Sequence, residues 1–230
     1  MKPDPSKSAI YLITGPMAAG KSTVARLLAE RFERGVHLEG DFFRRSIVSG
    51  RVEMAPDASP EADEQLRLRY SLAATAADVY CQAGFTVALE DIAAGRSLAE
   101  YRVLIRSRPC YVVVLMPSLE TVAAREAARQ RKGYTHWTVE ELYESFAAST
   151  PRIGLWLETS DQTAEETVDE ILARTPSVTR PVVVNDYDNE WPNLFGQIAE
   201  PVRQALDDIV AAVEHVGSTA VPGLAAKPVI

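Results

Sequence analysis

Short apolar runs alternate along the chain with longer stretches in which apolar residues recur every three or four positions. A short apolar run bounded by polar residues or glycine is typical of a buried strand, whereas the longer spacing is typical of an amphipathic helix. Five runs predict strands, at residues 9–14, 36–39, 85–90, 110–116 and 153–158. Because strands that alternate with helices usually form a parallel sheet covered by helices, the pattern predicts an α/β fold.

Helical patterns fill the intervals between these strands. The first helix is predicted to begin at Lys21 and to stop at Gly35, and two further patterns cover residues 61–83 and 118–130. A Ser or Thr followed three residues later by Glu predicts a capping box at the start of a helix. Such a pair stands at three predicted helix starts, namely Ser97 with Glu100, Thr138 with Glu141, and Thr163 with Glu166.

The alternation of strand and helix is complete by about residue 175. Residues 176–181 contain two prolines with Ser and Thr between them, which is typical of a linker. We therefore predict a domain over residues 1–175, a linker at 176–181 and a second segment at 182–230. The second segment is short for an independent domain, and the sequence stops at Ile230 within an apolar run. We expect it to be an incomplete domain.

The turn after the first predicted strand carries the strongest chemical signal. Residues 15–22 match the pattern G-x-x-x-x-G-K-[ST], in which the two glycines let backbone amides point at a phosphate. Lys21 is expected to contact the β- and γ-phosphates, and the Ser22 hydroxyl to bind Mg²⁺. The sequence thus predicts that ATP is bound by Gly15, Pro16, Met17, Ala18, Ala19, Gly20, Lys21, Ser22 and Thr23.

Acidic residues follow the second and third predicted strands, at the sheet edge where ligands bind in such folds. Asp41 is predicted to be a general base facing a substrate hydroxyl, although it also suits the N-cap of the next helix. Asp91 is predicted to serve the metal as a Walker-B acid, with Glu90 as the alternate. For Asp91, a purely structural role fits the sequence equally well.

A basic cluster follows the fourth predicted strand. Arg125 and Arg129 are four residues apart and therefore share a helix face. Arginines on a helical lid can stabilise charge on a transferring phosphoryl group, so both are predicted to be catalytic. The alternative is a solvated basic face. Arg152, just before the fifth predicted strand, is a further candidate for contact with the nucleotide.

Composition and net charge limit the classes of partner that the chain is expected to bind. The 230 residues include 47% hydrophobic and 24% charged residues, which is ordinary for a globular chain, and the net charge is −8. This acidity argues against a broad nucleic-acid surface or an anionic-membrane surface. The two cysteines, Cys81 and Cys110, form no CxxC pair, and residues 9–13 are too short an apolar run for a signal peptide. We expect a cytoplasmic protein that binds no nucleic acid and no membrane. The sequence is compatible with a homo-oligomer.

Residues 9–173 resemble P-loop small-molecule kinases, in particular AAA-type phosphotransferases similar to chloramphenicol phosphotransferase. The resemblance is carried by residues 13–23, 37–45 and 150–160. It implies a three-layer αβα P-loop NTPase fold with a five-stranded parallel sheet of order 2-3-1-4-5. It also implies that Asp41, after the second strand, is the general base. The acid at Glu90 beside Asp91 departs from many such kinases.

Residues 182–230 resemble the start of the GrpB-like family, which is similar to nucleotidyltransferases. The resemblance is carried by residues 187–192 and 215–228. It implies a triphosphate-binding turn at Gly217 and Ser218, with metal-binding carboxylates that come after the equivalent of Ile230. We therefore expect no nucleotidyltransferase activity from this segment by itself.

Two functions fit these features. The first is an ATP-dependent kinase that transfers the γ-phosphate to a hydroxyl of a small molecule, with Asp41 as base. The second is an ATP-binding regulatory module that controls the attached GrpB-like segment. Release of ADP that depends on an acceptor would distinguish the kinase, because a switch needs no acceptor.

Overall fold

The computed structural model describes residues 8–55, 58–128, 138–175 and 187–205, together with residues 212, 214, 215 and 220–222. The chain divides into two units, Met1–Val178 and Thr179–Ile230. The first unit contains all five strands of the sheet described below.

A five-stranded parallel sheet forms the centre of the first unit, in the order β2-β3-β1-β4-β5. The α/β fold and the strand order implied by the resemblance are confirmed. The elements in chain order are β1 (Ile10–Thr14), α1 (Lys21–Glu30), β2 (Gly35–Glu39), α2 (Gly40–Arg45), α3 (Pro60–Gln82), β3 (Thr86–Glu90), α4 (Arg96–Leu104), β4 (Cys110–Leu115), α5 (Leu119–Ala127), α6 (Val139–Ser149), β5 (Leu155–Leu157) and α7 (Ala164–Arg174).

Two apolar layers cover the faces of this sheet. Because successive side chains of a strand point to opposite faces, Leu12 and Leu89 pack toward α3 and α4, whereas Ile13 and Ala88 pack toward α1 and α7. The long α3 begins at Ser59, whose hydroxyl accepts a hydrogen bond from the Ala62 amide. The sheet is therefore fixed on both faces, and only its edges and loops remain for a site.

Three elements differ from the sequence prediction by more than one residue. The helix α1 ends at Glu30 rather than at Gly35, which instead opens β2 where a side chain would collide with the Ala29 carbonyl. The strand β5 is limited to three residues because Gly154 before it has a φ of 75°, a left-handed conformation. The predicted α5 of residues 118–130 ends at Ala127 among the described residues.

Two of the three predicted capping boxes are confirmed, at Thr138 and at Thr163. The pair Ser97 and Glu100 was predicted wrongly: α4 already begins at Arg96, and Gly95 is the N-cap residue without a side-chain hydrogen bond. The left-handed φ of 57° at Gly95 sets the start of this helix one residue before the hydroxyl that was expected to cap it.

The second unit contributes one described helix, α8 (Trp191–Ala205). Its first residue is buried and meets the Tyr187 ring edge to face, at 5.4 Å between centroids. Farther along, the Phe195 ring stacks on the imidazole of His215 at 4.6 Å. The predicted linker at 176–181 lies outside the described residues. Within the described ranges of both units, no helix combines the length and apolar character that a membrane crossing needs.

Candidate active site

The phosphate loop connects β1 to α1 at the carboxyl edge of the sheet. Gly15 has a φ of 149°, and a side chain there would collide with the Leu115 carbonyl, so only glycine fits. Ala18 and Gly20 also have positive φ, at 65° and 95°. This backbone curls around the position of a phosphate and passes directly into the N-terminus of α1, where amides and the helix dipole favour an anion.

Lys21 folds back over the loop. Its Nζ donates hydrogen bonds to the carbonyl oxygens of Gly15 at 3.1 Å and Pro16 at 2.9 Å, and the residue is only 8% exposed. The Lys21 ammonium group is therefore held beside the loop, where it can contact the oxygens of a bound phosphate.

Ser22 of α1 contacts Glu90 at the end of β3. The Ser22 hydroxyl donates a hydrogen bond of 2.8 Å to Oε1 of Glu90, whose residue is 8% exposed. A hydroxyl and a carboxylate supply the hard oxygen ligands that Mg²⁺ prefers, so this pair fits the metal expected with ATP.

Asp91 is turned away from that pair. Its side chain has no exposed surface and forms an ion pair with Arg69 of α3, and Arg69 Nε also donates to Asp91 Oδ2 at 3.0 Å. Its Oδ1 accepts from the amide of Ile92 at 2.7 Å. A side chain on Gly40 would collide with the Asp91 carboxyl, so α2 can begin next to this buried acid. These contacts match the structural role that the sequence left open for Asp91.

Further groups that could bind a metal lie near Glu90. One ligand atom from each of His37, Glu39 and Glu90 falls within 4.8 Å of the others. Within the described part of the chain, the buried Nε2 of His37 has no hydrogen-bond partner. Glu39 is also paired with Arg45, at 2.8 Å. Glu90 therefore belongs both to this group of three residues and to the pair with Ser22.

Asp41 lies in the first turn of α2 and not at its N-cap, which is Glu39. Arg44 Nε donates to Asp41 Oδ1 at 2.6 Å, and Arg45 Nη1 donates to Oδ2 at 3.2 Å. Arg69 Nη1 lies 3.5 Å from Oδ1. Burial acts to raise the pKa of Asp41, but the hydrogen bond from Arg44 and the charges of the three arginines outweigh it and lower that pKa below its usual value. The carboxylate therefore stays ionised and surrounded by cations.

The predicted basic lid is only partly described. Arg125 extends from α5 to the phosphate loop, where Nη1 donates to the Ala19 carbonyl at 3.4 Å and Nη2 donates to the Thr159 carbonyl at 3.1 Å. Arg129 lies outside the described residues. The guanidinium of Arg152 sits 4.1 Å from the centroid of the Trp156 ring. Of the three predicted arginines, Arg125 is the one seen in contact with the loop.

Sequence reasoning missed the arginines around Asp41. Arg44 and Arg45 belong to the α2 segment that was quoted for the family resemblance, but no role was derived for them. Arg69 lies in the middle of α3, and no local pattern marks it. Its partners Asp41 and Asp91 lie far from it in sequence, and the fold alone brings them together.

Two family models match the chain. The one described as AAA domain covers residues 10–153, and the one described as GrpB protein covers residues 181–230. Both predicted resemblances are confirmed.

Curated relatives match parts of the chain. A UPF0157 protein of Halalkalibacterium halodurans is 43% identical over 82 residues, which are 36% of this chain and 37% of that protein. A UPF0200 protein of Aeropyrum pernix is 31% identical over 140 residues, or 59% of this chain and 73% of that protein. The chain thus spans little more than a third of the first relative.

Solved structures with a similar fold include several small-molecule kinases. A sugar kinase from Janibacter sp. HTCC2649 superposes with a TM-score of 0.54 at 17% identity, over 76% of this chain and 99% of that one. An APS kinase from Mycobacterium tuberculosis, solved with AMPPNP and APS, gives 0.53 at 21% identity, over 73% and 96%. A shikimate kinase from Acinetobacter baumannii, solved with shikimate, gives 0.51 at 19% identity, over 76% and 96%. At these identities the likeness concerns the fold.

Proposed function

For this chain, which belongs to the AAA domain family through residues 10–153, we propose the function of an ATP-dependent kinase that phosphorylates a hydroxyl of a small molecule. One observation carries the proposal: a complete phosphate loop with a fixed lysine shares the carboxyl edge of the sheet with the carboxylate of Asp41. A nucleotide switch needs the first of these features but has no use for the second. The fold of the small-molecule kinases supports the same choice.

The proposed reaction is an in-line transfer. The acceptor hydroxyl oxygen forms a bond to the γ-phosphorus while the bond from that phosphorus to the β,γ-bridging oxygen breaks, and ADP leaves with the electron pair. Asp41 takes the hydroxyl proton. Lys21 and the loop amides bind the phosphates, and Arg125 stabilises negative charge beside the loop. Arg129 and Arg152 stay predictions for the same site.

Bound Mg²⁺ would neutralise charge on the phosphate oxygens. We propose that Ser22 and Glu90 hold it, in place of Ser22 and Asp91. Glu90 already accepts a hydrogen bond from Ser22, whereas the oxygens of Asp91 are taken by Arg69 and by a backbone amide. The alternate acid considered from the sequence is therefore preferred to the first choice.

The experiment is to measure ATP binding and ADP release by the full chain with a panel of hydroxylated metabolites. Wild type should bind ATP, and one class of acceptor should stimulate ADP release. Lys21→Ala should lose both, since the loop then lacks its fixed cation, whereas Arg26→Ala, an exposed arginine farther along α1, should lose neither. ATP affinity and turnover that are unchanged in Lys21→Ala would contradict the proposal.

A further inference from the structure

Three arginines contact the carboxylate of Asp41. Arg44 binds it with two nitrogens, Nε to Oδ1 at 2.6 Å and Nη2 to Oδ2 at 3.2 Å. Arg45 Nη1 donates to Oδ2 at 3.2 Å, and Arg69 Nη1 lies 3.5 Å from Oδ1. The Asp41 side chain is still 36% exposed, so a hydroxyl can approach it from solvent, and the arginines around it are candidates for binding the rest of the acceptor.

Arg44 also binds a second carboxylate. Its Nη1 donates to both oxygens of Glu53, at 2.7 and 2.6 Å, and Arg51 Nε approaches Glu53 Oε1 at 3.0 Å. Glu53 lies in the segment between α2 and α3, and its side chain is 45% exposed. Two arginines thus form a site for a carboxylate at the surface, and a glutamate of the chain itself fills it.

This contact is easily exchanged. Ion pairs at the surface contribute little to stability, so displacing the Glu53 carboxylate from the arginines costs little. A guanidinium forms its best hydrogen bonds with planar anions such as carboxylates. Arg44 contacts both Glu53 and Asp41. A carboxylate that replaced Glu53 would therefore be bound by the same arginine that contacts the base.

Resting on the proposed function, we propose that the acceptor is a small hydroxy acid whose carboxylate displaces Glu53 from Arg44 and Arg51. Arg44 and Arg51 hold the bound carboxylate, and Arg44 also contacts Asp41, so the hydroxyl of the same molecule is placed near the base. A neutral polyol has no carboxylate with which to replace Glu53. Glu53 acts as a competitor that the substrate must replace.

The test compares hydroxy acids with neutral counterparts that differ only at the acid group. Binding of gluconate, glycerate and shikimate is measured by calorimetry against sorbitol, glycerol and methyl shikimate, on the full chain with AMPPNP and Mg²⁺. At least one acid should bind, and its neutral counterpart should not. No binding by any acid, or equal binding by its neutral counterpart, overturns the proposal.

Variants locate the site. Arg44→Ala should weaken binding of that acid at least about tenfold, because charge-assisted hydrogen bonds are lost, and Arg44→Lys should restore part of the loss. Glu53→Gln should tighten binding about two- to fivefold, since it removes a competing charge held by an exposed pair. The matched controls Arg26→Ala and Glu30→Gln alter an exposed pair on α1 and should change nothing. Unchanged or weaker binding in Glu53→Gln overturns the competitor role.

The readouts separate this inference from the proposed function. An acid that binds through Arg44 but stimulates no ADP release from ATP contradicts the kinase reaction and leaves the carboxylate site intact. Equal ADP release with acids and neutral polyols contradicts the carboxylate site and leaves the kinase reaction intact.

Discussion

Replacing Asp91 by asparagine tests whether this acid is structural. The Asp91 side chain is completely buried, and it pairs with an Arg69 side chain that is itself only 12% exposed. Breaking a buried ion pair typically costs 3–5 kcal/mol, because one charge is left uncompensated. Arg69 keeps Asp41 at 3.5 Å, and asparagine keeps an oxygen for the Ile92 amide, so the lower end applies. We expect a loss of about 3 kcal/mol in the free energy of unfolding, or about 6–12 °C in Tm for a unit of this size.

The assay is urea unfolding, with Glu90→Gln as the matched control. Both variants change a buried carboxylate to an amide at adjacent positions. Glu90→Gln loses one hydrogen bond from a neutral hydroxyl, so its free energy of unfolding should change by about 1 kcal/mol or less, while its Mg²⁺-dependent ATP affinity falls. The reverse result, a stable Asp91→Asn that has lost its Mg²⁺ dependence, would refute the assignment of the metal to Glu90.

Three further predictions concern the same site. Asp41→Asn should keep ATP affinity and lose about a hundredfold or more in kcat, and near-wild-type kcat would exclude it as the base. Arg125→Ala should lower kcat more than it raises KM for ATP, because phosphoryl charge grows toward the transition state; turnover equal to that of Arg26→Ala would make Arg125 a packing residue. Because the folded state lowers the pKa of Asp41, its contribution to stability is present above the usual carboxyl pKa and is lost as pH falls through the lowered value. Urea midpoints between pH 6 and pH 3 should therefore fall less in Asp41→Asn than in wild type, and parallel curves would show that the arginines do not bind an ionised Asp41.

The phosphate loop could be predicted because its information is local. The backbone curl or the phosphate fixes the residue type at Gly15, Gly20, Lys21 and Ser22, and these four positions stand in one run of eight residues. The strand order was available only through the family resemblance, because hydrophobic patterning does not specify which strands pair.

The preference for Glu90 over Asp91 that we propose could have been drawn from the strand pattern in the sequence. Residues two apart on a strand share a face, so Glu90 shares the face of Ala88, which packs against α1. Ser22 is the second residue of that same helix. Leu89, on the other face, packs with α3, the helix that carries Arg69. The role of Arg69 itself needed the tertiary structure, since its partners come from two other elements.

The position of β1 has a consequence for the order of events during synthesis. Its neighbours are β3 and β4, so Ile10 pairs with Val87 and with Cys110, while the next strand along the chain, β2, lies beyond β3. During synthesis, α1, β2, α2 and α3 are therefore all made before β3, the first strand that pairs with β1, becomes available. Contacts so distant in sequence slow folding. A nucleotide therefore meets a finished loop late, so its binding can stabilise the assembled sheet but cannot guide the steps that build it.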